Sequence, residues 1–360
     1  MKIIHTADVH IGSAIKNLPK DKARQRRQEG LTALRFVADY ARQNEVTAVL
    51  ICGDLFDEST LSSQTLKETL DVFASAPDVF FFYCQGNHDK HAALIGELPK
   101  NVLLFGDAHG WKSYNVGENI LITGIDGQYL TADAYARLTL PVETYNVVMA
   151  HGELSTLSGK DRVCLPMLQN KNIDYLALGH IHNPERALRP LQVRGGYRYS
   201  GALFSRGFDE CGEKGFYEIE LKKGRMVAEK FVVVPTVRAV NAYTVDVSAC
   251  QTPSQLQSAV DNALKGQRQK DVVKLTLKGR CLSSLKKYFY SLESALSQRF
   301  FFVKLEDKTT VAVENADLLR RSPILNEFAR ILESKPELAV QKDELIDVAI
   351  KAVTGEELDV

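Results

Sequence analysis

The amino-acid sequence predicts a layered α/β protein with a smaller α+β unit and a helical C-terminal tail. From residue 1 to about 235, short apolar runs alternate with helical patterns, which is typical of strands covered by helices. Residues 236–310 carry a shorter mixture of strand and helix patterns, and the remaining residues show only helical periodicity. We therefore expect three parts, at residues 1–235, 236–310 and 311–360.

The first part contains the apolar runs that predict its strands. They lie at residues 2–4, 49–51, 79–82, 147–149 and 176–178. Apolar residues recurring on one face predict a helix over 27–43, and Leu66, Leu70 and Phe73 mark a second helix. Regular alternation on either side of a short polar turn predicts a β-hairpin that ends at about residue 234.

The second and third parts are predicted from shorter patterns. In residues 236–310, strands are expected at 243–247 and 272–277, with a helix over 254–264 between them. In the tail, Ser322 before Pro323 is a typical helix start, since proline is favoured in the first turn. Apolar stripes then predict two helices, over 324–332 and 345–353.

Each of the five predicted strands is followed by side chains that bind metals. The clusters contain Asp8 and His10, Asp54 and Asp57, Asn87 with His88 and Asp89, His151, and His180 with His182. Tyr199, Ser200 and Gly201 form a weaker sixth cluster. Because side chains at the ends of neighbouring strands converge on one crevice, we expect these clusters to meet. His5, His91 and His109 lie outside them and are expected to be structural or surface residues.

The composition permits a soluble enzyme and excludes a membrane-spanning one. The chain has 360 residues, 45% of them hydrophobic and 25% charged. No apolar stretch approaches the roughly 18 residues needed to span a bilayer. The six cysteines are dispersed without a Cys-x-x-Cys pair, which favours reduced thiols and a cytoplasmic location.

The predicted ligands are oxygen and imidazole groups without thiolates. This set favours manganese, iron, zinc or a related divalent ion over a structural zinc site. Three carboxylates or amides and four histidines exceed what one tetrahedral ion requires, so a binuclear centre is expected. Two neighbouring ions can stabilise both the attacking and the leaving oxygen of a phosphoryl transfer.

The order of these clusters resembles the five motifs of the calcineurin-like metallophosphoesterases. The matching segments are Asp8-x-His10, Gly53-Asp54-x-x-Asp57, Gly86-Asn87-His88-Asp89, His151-Gly152 and Gly179-His180-x-His182. Within that superfamily the chain resembles the DNA-repair nuclease branch, which includes the bacterial SbcD proteins. The resemblance implies a β-sandwich core flanked by helices, with a capping domain after residue 235. It also implies two Mn²⁺ ions, a homodimer and an SbcC-type coiled-coil ATPase partner.

The resemblance also implies a role for each residue of the motifs. Asp8, His10 and His182 would hold one ion, Asn87, His151 and His180 would hold the other, and Asp54 would bridge the two. His88 would be a proton donor to the leaving oxygen, a role that suits imidazole because its unperturbed pKa is near neutrality. Asp89 is expected to orient His88.

Three groups of basic residues suggest a polyanionic substrate. The densest lies in residues 262–304, which carry ten lysines and arginines against two acids. The candidates for contact with DNA are Arg198, Tyr199, Arg206, Lys270, Lys274 and Lys278. The alternative interpretation is that these charges are solvated surface, with Tyr199 and Arg206 serving as packing and solvated charge.

The sequence supports three functions to different degrees. The first is a metal-dependent DNA exonuclease or endonuclease with a two-metal mechanism, acting in double-strand-break repair. The second is a phosphodiesterase for a small nucleotide or cyclic nucleotide, which would not require the basic second part. The third is a scaffold without catalysis, which the intact ligand set disfavours.

Overall fold

The computed structural model describes residues 1–57, 61–89, 98–105, 110–117, 119–222, 224–312, 322–338 and 342–354. The chain divides into two compact units, Met1–Val240 and Asn241–Val360. The finer division at residues 235 and 310 stays a prediction. His91 and His109 lie outside the described residues.

The first unit contains a six-stranded sheet with the order β14-β13-β1-β2-β3-β4. Its strands are β1 (Lys2–Thr6), β2 (Val46–Cys52), β3 (Phe80–Cys84), β4 (Val102–Leu104), β13 (Gly215–Lys222) and β14 (Arg225–Val233). β1 to β4 are parallel to one another. The carboxyl ends of β1, β2 and β3 therefore meet at one edge. β13 and β14 form the predicted antiparallel hairpin, and β13 adds to β1.

A second six-stranded sheet has the order β11-β12-β10-β7-β6-β5. Its strands are β5 (Lys112–Asn115), β6 (Ile120–Gly124), β7 (Tyr145–His151), β10 (Tyr175–Gly179), β11 (Arg189–Pro190) and β12 (Gly196–Tyr199). Two short strands, β8 (Glu153–Ser155) and β9 (Arg162–Cys164), pair separately. Because β7 and β10 are parallel, His151 and Gly179 lie side by side at their carboxyl ends.

The two sheets pack face to face, since alternate residues of each apolar strand enter different cores. Ile3, Leu50 and Phe82 of the first sheet share one buried cluster with Val147 and Ala177 of the second. The intervening residues of the first sheet face a second cluster, together with helices α2 and α3. Strands buried on both faces explain why the sequence shows continuous apolar runs instead of alternation. The predicted α/β sandwich is confirmed.

Five α-helices lie in the described residues of this unit. They are α1 (Lys20–Arg27), α2 (Glu29–Gln43), α3 (Ser63–Ala74), α4 (Ala132–Arg137) and α5 (Leu165–Leu168). On α3, Leu70 and Phe73 are buried in the core, and Leu66 packs against the same cluster. These apolar residues pack within the chain, so they add no support to the homodimer that the resemblance implies.

The second unit is built on a three-stranded sheet with the order β15-β16-β17. Its elements are β15 (Val240–Asp246), α6 (Pro253–Ala263), β16 (Val272–Leu282), α7 (Ser283–Lys286), α8 (Phe289–Arg299) and β17 (Phe302–Ala312). β16 and β17 are parallel. A parallel pair requires a crossover connection, and α7 with α8 provides it. Residues from α6, α8 and one face of the sheet form a single core.

Two helices end the described chain, α9 (Pro323–Glu333) and α10 (Lys342–Thr354). Ser322 caps α9 by accepting a hydrogen bond from the Leu325 amide, as the sequence predicts. Leu325 and Leu332 pack against Ile346 and Ile350. The two helices therefore bury part of each other's apolar stripes.

None of the helices in the described ranges is both long enough and apolar enough to cross a membrane.

Candidate metal centre

The loops after β1 and β2 are joined by backbone hydrogen bonds, which place their polar side chains together. The amides of Asp8 and His10 donate to the carbonyls of Gly53 and Asp54 at 3.0 and 2.9 Å. Asp8, His10 and Asp54 have φ angles of 52°, 48° and 50°, and His180 has 111°. Such conformations cost non-glycine residues about 1–3 kcal/mol each and cluster at functional sites. Four of the predicted ligands therefore lie on strained backbone.

Two glycines allow the strands to approach closely at this edge. A Cβ atom on Gly179 would lie 1.8 Å from the Cys52 carbonyl oxygen, so the end of β10 can meet the end of β2 only without a side chain. A Cβ on Gly86 would lie 2.1 Å from Oδ1 of Asp54. The glycines of these motifs are thus explained by close contact between the two sheets and their loops.

Asp8, His10 and His182 form one potential ligand group. Each offers one ligand atom, and these atoms all lie within 4.8 Å of one another. Nε2 of His10 lies 3.2 Å from Nε2 of His182, which lies 3.8 Å from a carboxylate oxygen of Asp8. Two imidazole nitrogens facing each other beside a carboxylate suit a divalent cation.

Asn87, His151 and His180 form a second group. Oδ1 of Asn87 lies 3.0 Å from Nε2 of His151 and 3.2 Å from Nδ1 of His180. His151 is buried, and its Nδ1 donates to the Cys52 carbonyl at 2.9 Å. That hydrogen bond directs Nε2 into the site.

Asp54 lies between the two groups. Its Oδ2 atom is 3.6 Å from Nε2 of His10 and 3.4 Å from Nε2 of His151. Its Oδ1 atom accepts the His88 amide at 2.8 Å. The side chain is 2% exposed. One carboxylate oxygen that faces a histidine of each group is positioned to bridge two ions.

The buried charges of the site influence one another strongly. Burial, helped by the nearby Arg206 charge, lowers the pKa of His10 to about 2, so this imidazole is neutral and has a lone pair for a metal. Burial disfavours the charged form of His151, but the Asp54 and Asp8 carboxylates outweigh it and raise the pKa to about 10. Burial raises the pKa of Asp8. For Asp54, burial is outweighed by hydrogen bonding and charge from His151, which lower the pKa. Metal binding must displace the proton on His151.

His88 is exposed beside this cluster, and its ring centroid lies 5.0 Å from that of His10. It is not a member of either group of facing ligands. Asp89 is buried, and its carboxylate accepts the amides of Leu55, Phe56 and Gly86 at 3.3, 2.8 and 3.0 Å. These contacts join the loop after β2 to the loop that carries His88, and the expectation that Asp89 orients His88 stays a prediction.

Nothing in the sequence pointed to Glu210, which contacts a predicted ligand. Its Oε1 atom accepts Nδ1–H of His182 at 2.7 Å. Burial opposes ionisation of Glu210, but hydrogen bonds from His182 and the Arg206 amide lower its pKa to about 2. Since a carboxylate can only accept, Nδ1 carries the proton and Nε2 remains available for a metal.

The six candidates for contact with DNA have very different surroundings. Arg198 is fully buried, bonded to Glu229 at 2.7 Å and stacked on Tyr217, which excludes it from a DNA surface. Tyr199 is 5% exposed and donates to the Gly152 carbonyl, so it too is corrected to a packing residue. Arg206 is partly exposed and paired with Glu210 at the metal site.

The three lysine candidates lie in the second unit. Lys270 and Lys278 are exposed. Lys274 is 27% exposed at its side chain and forms a salt bridge of 3.0 Å with Glu306. Elsewhere, His5 is buried between Tyr175 and the Leu178 carbonyl, which confirms it as a structural histidine.

Comparison with known proteins identifies the class. The model of the calcineurin-like phosphoesterase family matches residues 1–184, so the chain belongs to this family of phosphoester hydrolases. The matched region contains both ligand groups, Asp54 and His88. The donor set fits a pair of divalent ions, because Asp8 faces His10 and His182 in one group and Asp54 and His151 in another. Asp54 also lies 3.6 Å from His10 of the first group.

Three curated relatives are about one quarter identical to the chain over the aligned residues. The uncharacterized metallophosphoesterase YhaO of Bacillus subtilis is 28% identical over 305 residues, covering 78% of this chain and 72% of that protein. The DNA double-strand break repair protein Mre11 of Methanopyrus kandleri is 25% identical, covering 77% and 65%. The SbcD component of the nuclease SbcCD from Escherichia coli is 24% identical, covering 66% and 69%. Three other archaeal Mre11 proteins are matched over little more than half of their length.

Glu210→Ala is expected to weaken metal binding at the group formed by Asp8, His10 and His182. Loss of an outer partner of a histidine ligand reduces metal affinity by about 10–100-fold. Metal content measured after dialysis against graded free Mn²⁺ should show one site with lowered affinity and one site with unchanged affinity. Glu210→Gln should retain most of the affinity, since its carbonyl still accepts the bond. Glu213→Ala, which removes an exposed neighbouring acid, is the control. Equal weakening of both ions would contradict this role.

Proposed function

We propose that the protein is a metal-dependent nuclease that hydrolyses phosphodiester bonds of DNA at a binuclear centre. The observation that carries the proposal is the position of Asp54. One of its carboxylate oxygens, Oδ2, lies within 3.6 Å of a histidine Nε2 atom in each ligand group. The relatives named for DNA double-strand break repair and for nuclease activity support DNA as the substrate. Mn²⁺ is the proposed ion, because the resemblance to the nuclease branch implies it and the oxygen and imidazole ligands of the site suit it.

The residues of the site divide the chemistry between them. Divalent ions, when bound, supply positive charge that stabilises the attacking and leaving oxygens. Asp54 holds the two ligand groups together and, through the His88 amide, fixes the backbone of the proposed proton donor. His88 is exposed at the mouth, where its imidazole can protonate a leaving oxygen. Asp89 keeps the loop that carries His88 attached to the loop after β2.

A phosphodiesterase for small nucleotides is the second candidate, and one observation favours it. Much of the positive charge in residues 262–304 is already paired. Salt bridges join Lys274 and Lys304 to Glu306, Lys286 to Asp307, Arg268 to Asp271, and Arg299 to Asp261. The basic composition of this region therefore overstates the charge that remains for a polyanion.

The two candidates are separated by offering the full chain different substrates. We expect Mn²⁺-dependent digestion of end-labelled single- or double-stranded DNA, measured on gels, and no digestion with a chelator. Hydrolysis of bis(p-nitrophenyl) phosphate reports whether the metal centre is active at all. Turnover of cyclic nucleotides without cleavage of either DNA would favour the second candidate and refute the nuclease.

The homodimer, the coiled-coil ATPase partner and the role in DNA repair stay predictions. The name of the Mre11 relative supports the role in DNA repair. The homodimer and the ATPase partner rest on the resemblance alone, since the apolar residues of α3 and of the pair α9 and α10 pack largely within the chain. Ile324 and Ile331 remain 72% and 45% exposed on α9, so this helix retains an apolar surface.

A further inference from the structure

His182 is held at two places by one segment of the chain, residues 205–214. At the ring, Oε1 of Glu210 accepts Nδ1–H of His182. At the main chain, Nζ of Lys214 donates to the His182 carbonyl at 2.8 Å and to Oδ1 of Asn183 at 2.9 Å. The first contact fixes the direction of the imidazole, whereas the second fixes the peptide that carries it.

Lys214 is itself held in place by the hairpin of β13 and β14. It directly precedes β13, and its carbonyl accepts the Val234 amide at 3.0 Å. A Cβ atom on the next residue, Gly215, would lie 2.0 Å from the Val232 carbonyl oxygen, so the two chains are in close contact here. The ammonium group of Lys214 therefore reaches His182 from a fixed backbone.

The burial of this lysine is not explained by an ion pair. Lys214 is 4% exposed, and a buried ammonium group is costly unless it is paired or hydrogen-bonded. In the part of the chain that the structure describes, Lys214 forms no salt bridge, and its two acceptors are neutral oxygens. Both of these hydrogen bonds go to a predicted metal ligand and its neighbour.

Folding stability gives little reason for a lysine at this position. Without Lys214, the His182 carbonyl would keep its hydrogen bond from the Ala202 amide at 3.0 Å. The side chain of Asn183 is exposed and can bond to water. Removing the ammonium group would therefore leave no buried polar group without a partner, which is the situation that costs most.

The other histidine of this loop has a different anchor. The His180 amide donates to both carboxylate oxygens of Asp8 at 3.1 and 3.0 Å. Only Ile181 separates His180 from His182, yet the two rings belong to different ligand groups. The main chain at each histidine is thus fixed by a separate contact, which for His182 includes Lys214.

We infer that Lys214 is a positioning residue for the ion held by Asp8, His10 and His182. It acts through the main chain of His182, in addition to the contact of Glu210 with the ring. The inference rests on the metal centre of the proposed function and deepens it, since it names a buried cation that supports one of the two ligand groups.

The test combines Lys214→Met with Glu210→Ala in the full chain. Lys214→Met keeps an unbranched side chain of nearly the same length and removes the ammonium group. Lys222→Met, which removes an exposed lysine from the other end of β13, is the matched control. Isothermal titration with Mn²⁺ is carried out on the metal-free wild type, each single variant and the double variant. Thermal unfolding in chelator is measured in parallel.

Lys214→Met should lower the affinity of one binding event by about 10–100-fold, the range for a partner outside the ligand set, and leave the other event unchanged. The double variant should again show one lowered event, because both residues act through His182. The unfolding midpoint in chelator should stay close to that of the wild type, which a purely structural role would not allow together with a loss of metal affinity.

Unchanged binding of both ions by Lys214→Met, lowered affinity for both, or an equal loss in Lys222→Met would overturn the inference. So would a double variant with both events lowered, since Lys214 would then serve the other ligand group. If Lys214→Met does not fold, Lys214→Gln, which keeps a shorter neutral donor, must still lower the same event. A wild type that binds a single ion, with lower affinity in Lys214→Met, would refute the binuclear centre of the proposed function and leave the role of Lys214 standing.

Discussion

His88→Asn is expected to reduce DNA cleavage by about 10²–10⁴-fold while both ions remain bound, because general acid catalysis contributes that range. The substitution leaves the backbone amide in place, so Asp54 keeps its hydrogen bond of 2.8 Å. The ring belongs to neither group of facing ligands, so removing it should not release a metal. Cleavage rate and metal content, measured on the same preparation, check both parts.

The dependence on the leaving group separates proton donation from other roles of His88. A p-nitrophenolate leaves without a proton, whereas the alkoxide released from DNA needs one. His88→Asn should therefore slow hydrolysis of bis(p-nitrophenyl) phosphate much less than cleavage of DNA. Equal losses on both substrates would argue for charge stabilisation instead. Loss of an ion from the variant would make His88 a ligand and refute the assignment.

The two-sheet core could be predicted because its strands are short apolar runs that each end in polar motif residues. Ile51, Phe82 and Ala177 occur in such runs, and the structure buries all three. The convergence of Asp8 and Asp54 followed from the rule that parallel strands, here β1 and β2, present their carboxyl ends at one edge. Local pattern and a general topological rule were sufficient for this part.

Contacts between distant residues could not be predicted in the same way. Glu210 is 28 positions from His182 and lies in no periodic pattern, so nothing local marks it as a partner. Arg198 looked like a surface cation because charge is visible in a sequence and burial is not. Its burial depends on Glu229 and Tyr217, which meet it only after β12 and the hairpin have folded.

The basic second unit illustrates a related difficulty. Composition counts lysines, whereas binding depends on which of them remain uncompensated. Lys274 and Lys278 are four residues apart and look equivalent in the sequence. The parallel pairing of β16 with β17 gives Lys274 a neighbouring glutamate and gives Lys278 a neighbouring lysine. Neither the crossover nor its register is visible in either strand alone.

Asp54→Asn is expected to lower the affinity for both ions by more than about 100-fold. Loss of a residue that only contacts a ligand costs up to about 100-fold, and loss of a shared ligand should cost more. The reason is geometric. Oδ2 of Asp54 faces histidines of both ligand groups, and Oδ1 accepts the His88 amide. An asparagine has one acceptor and one donor. It can keep its oxygen toward His88 or toward the ligands, but not both, and it carries no charge for two cations.

Isothermal titration of the metal-free variant with Mn²⁺ should therefore show both binding events shifted to higher concentration, with cleavage of DNA lost in parallel. Asp71→Asn, which removes an exposed carboxylate from α3, is the matched control and should bind both ions normally. The result should differ from that of Glu210→Ala, because that variant should lower the affinity for one ion and Asp54→Asn should lower it for both. If either ion binds the Asp54 variant with unchanged affinity, Asp54 belongs to a single site, and the bridge that supports a two-metal mechanism is absent.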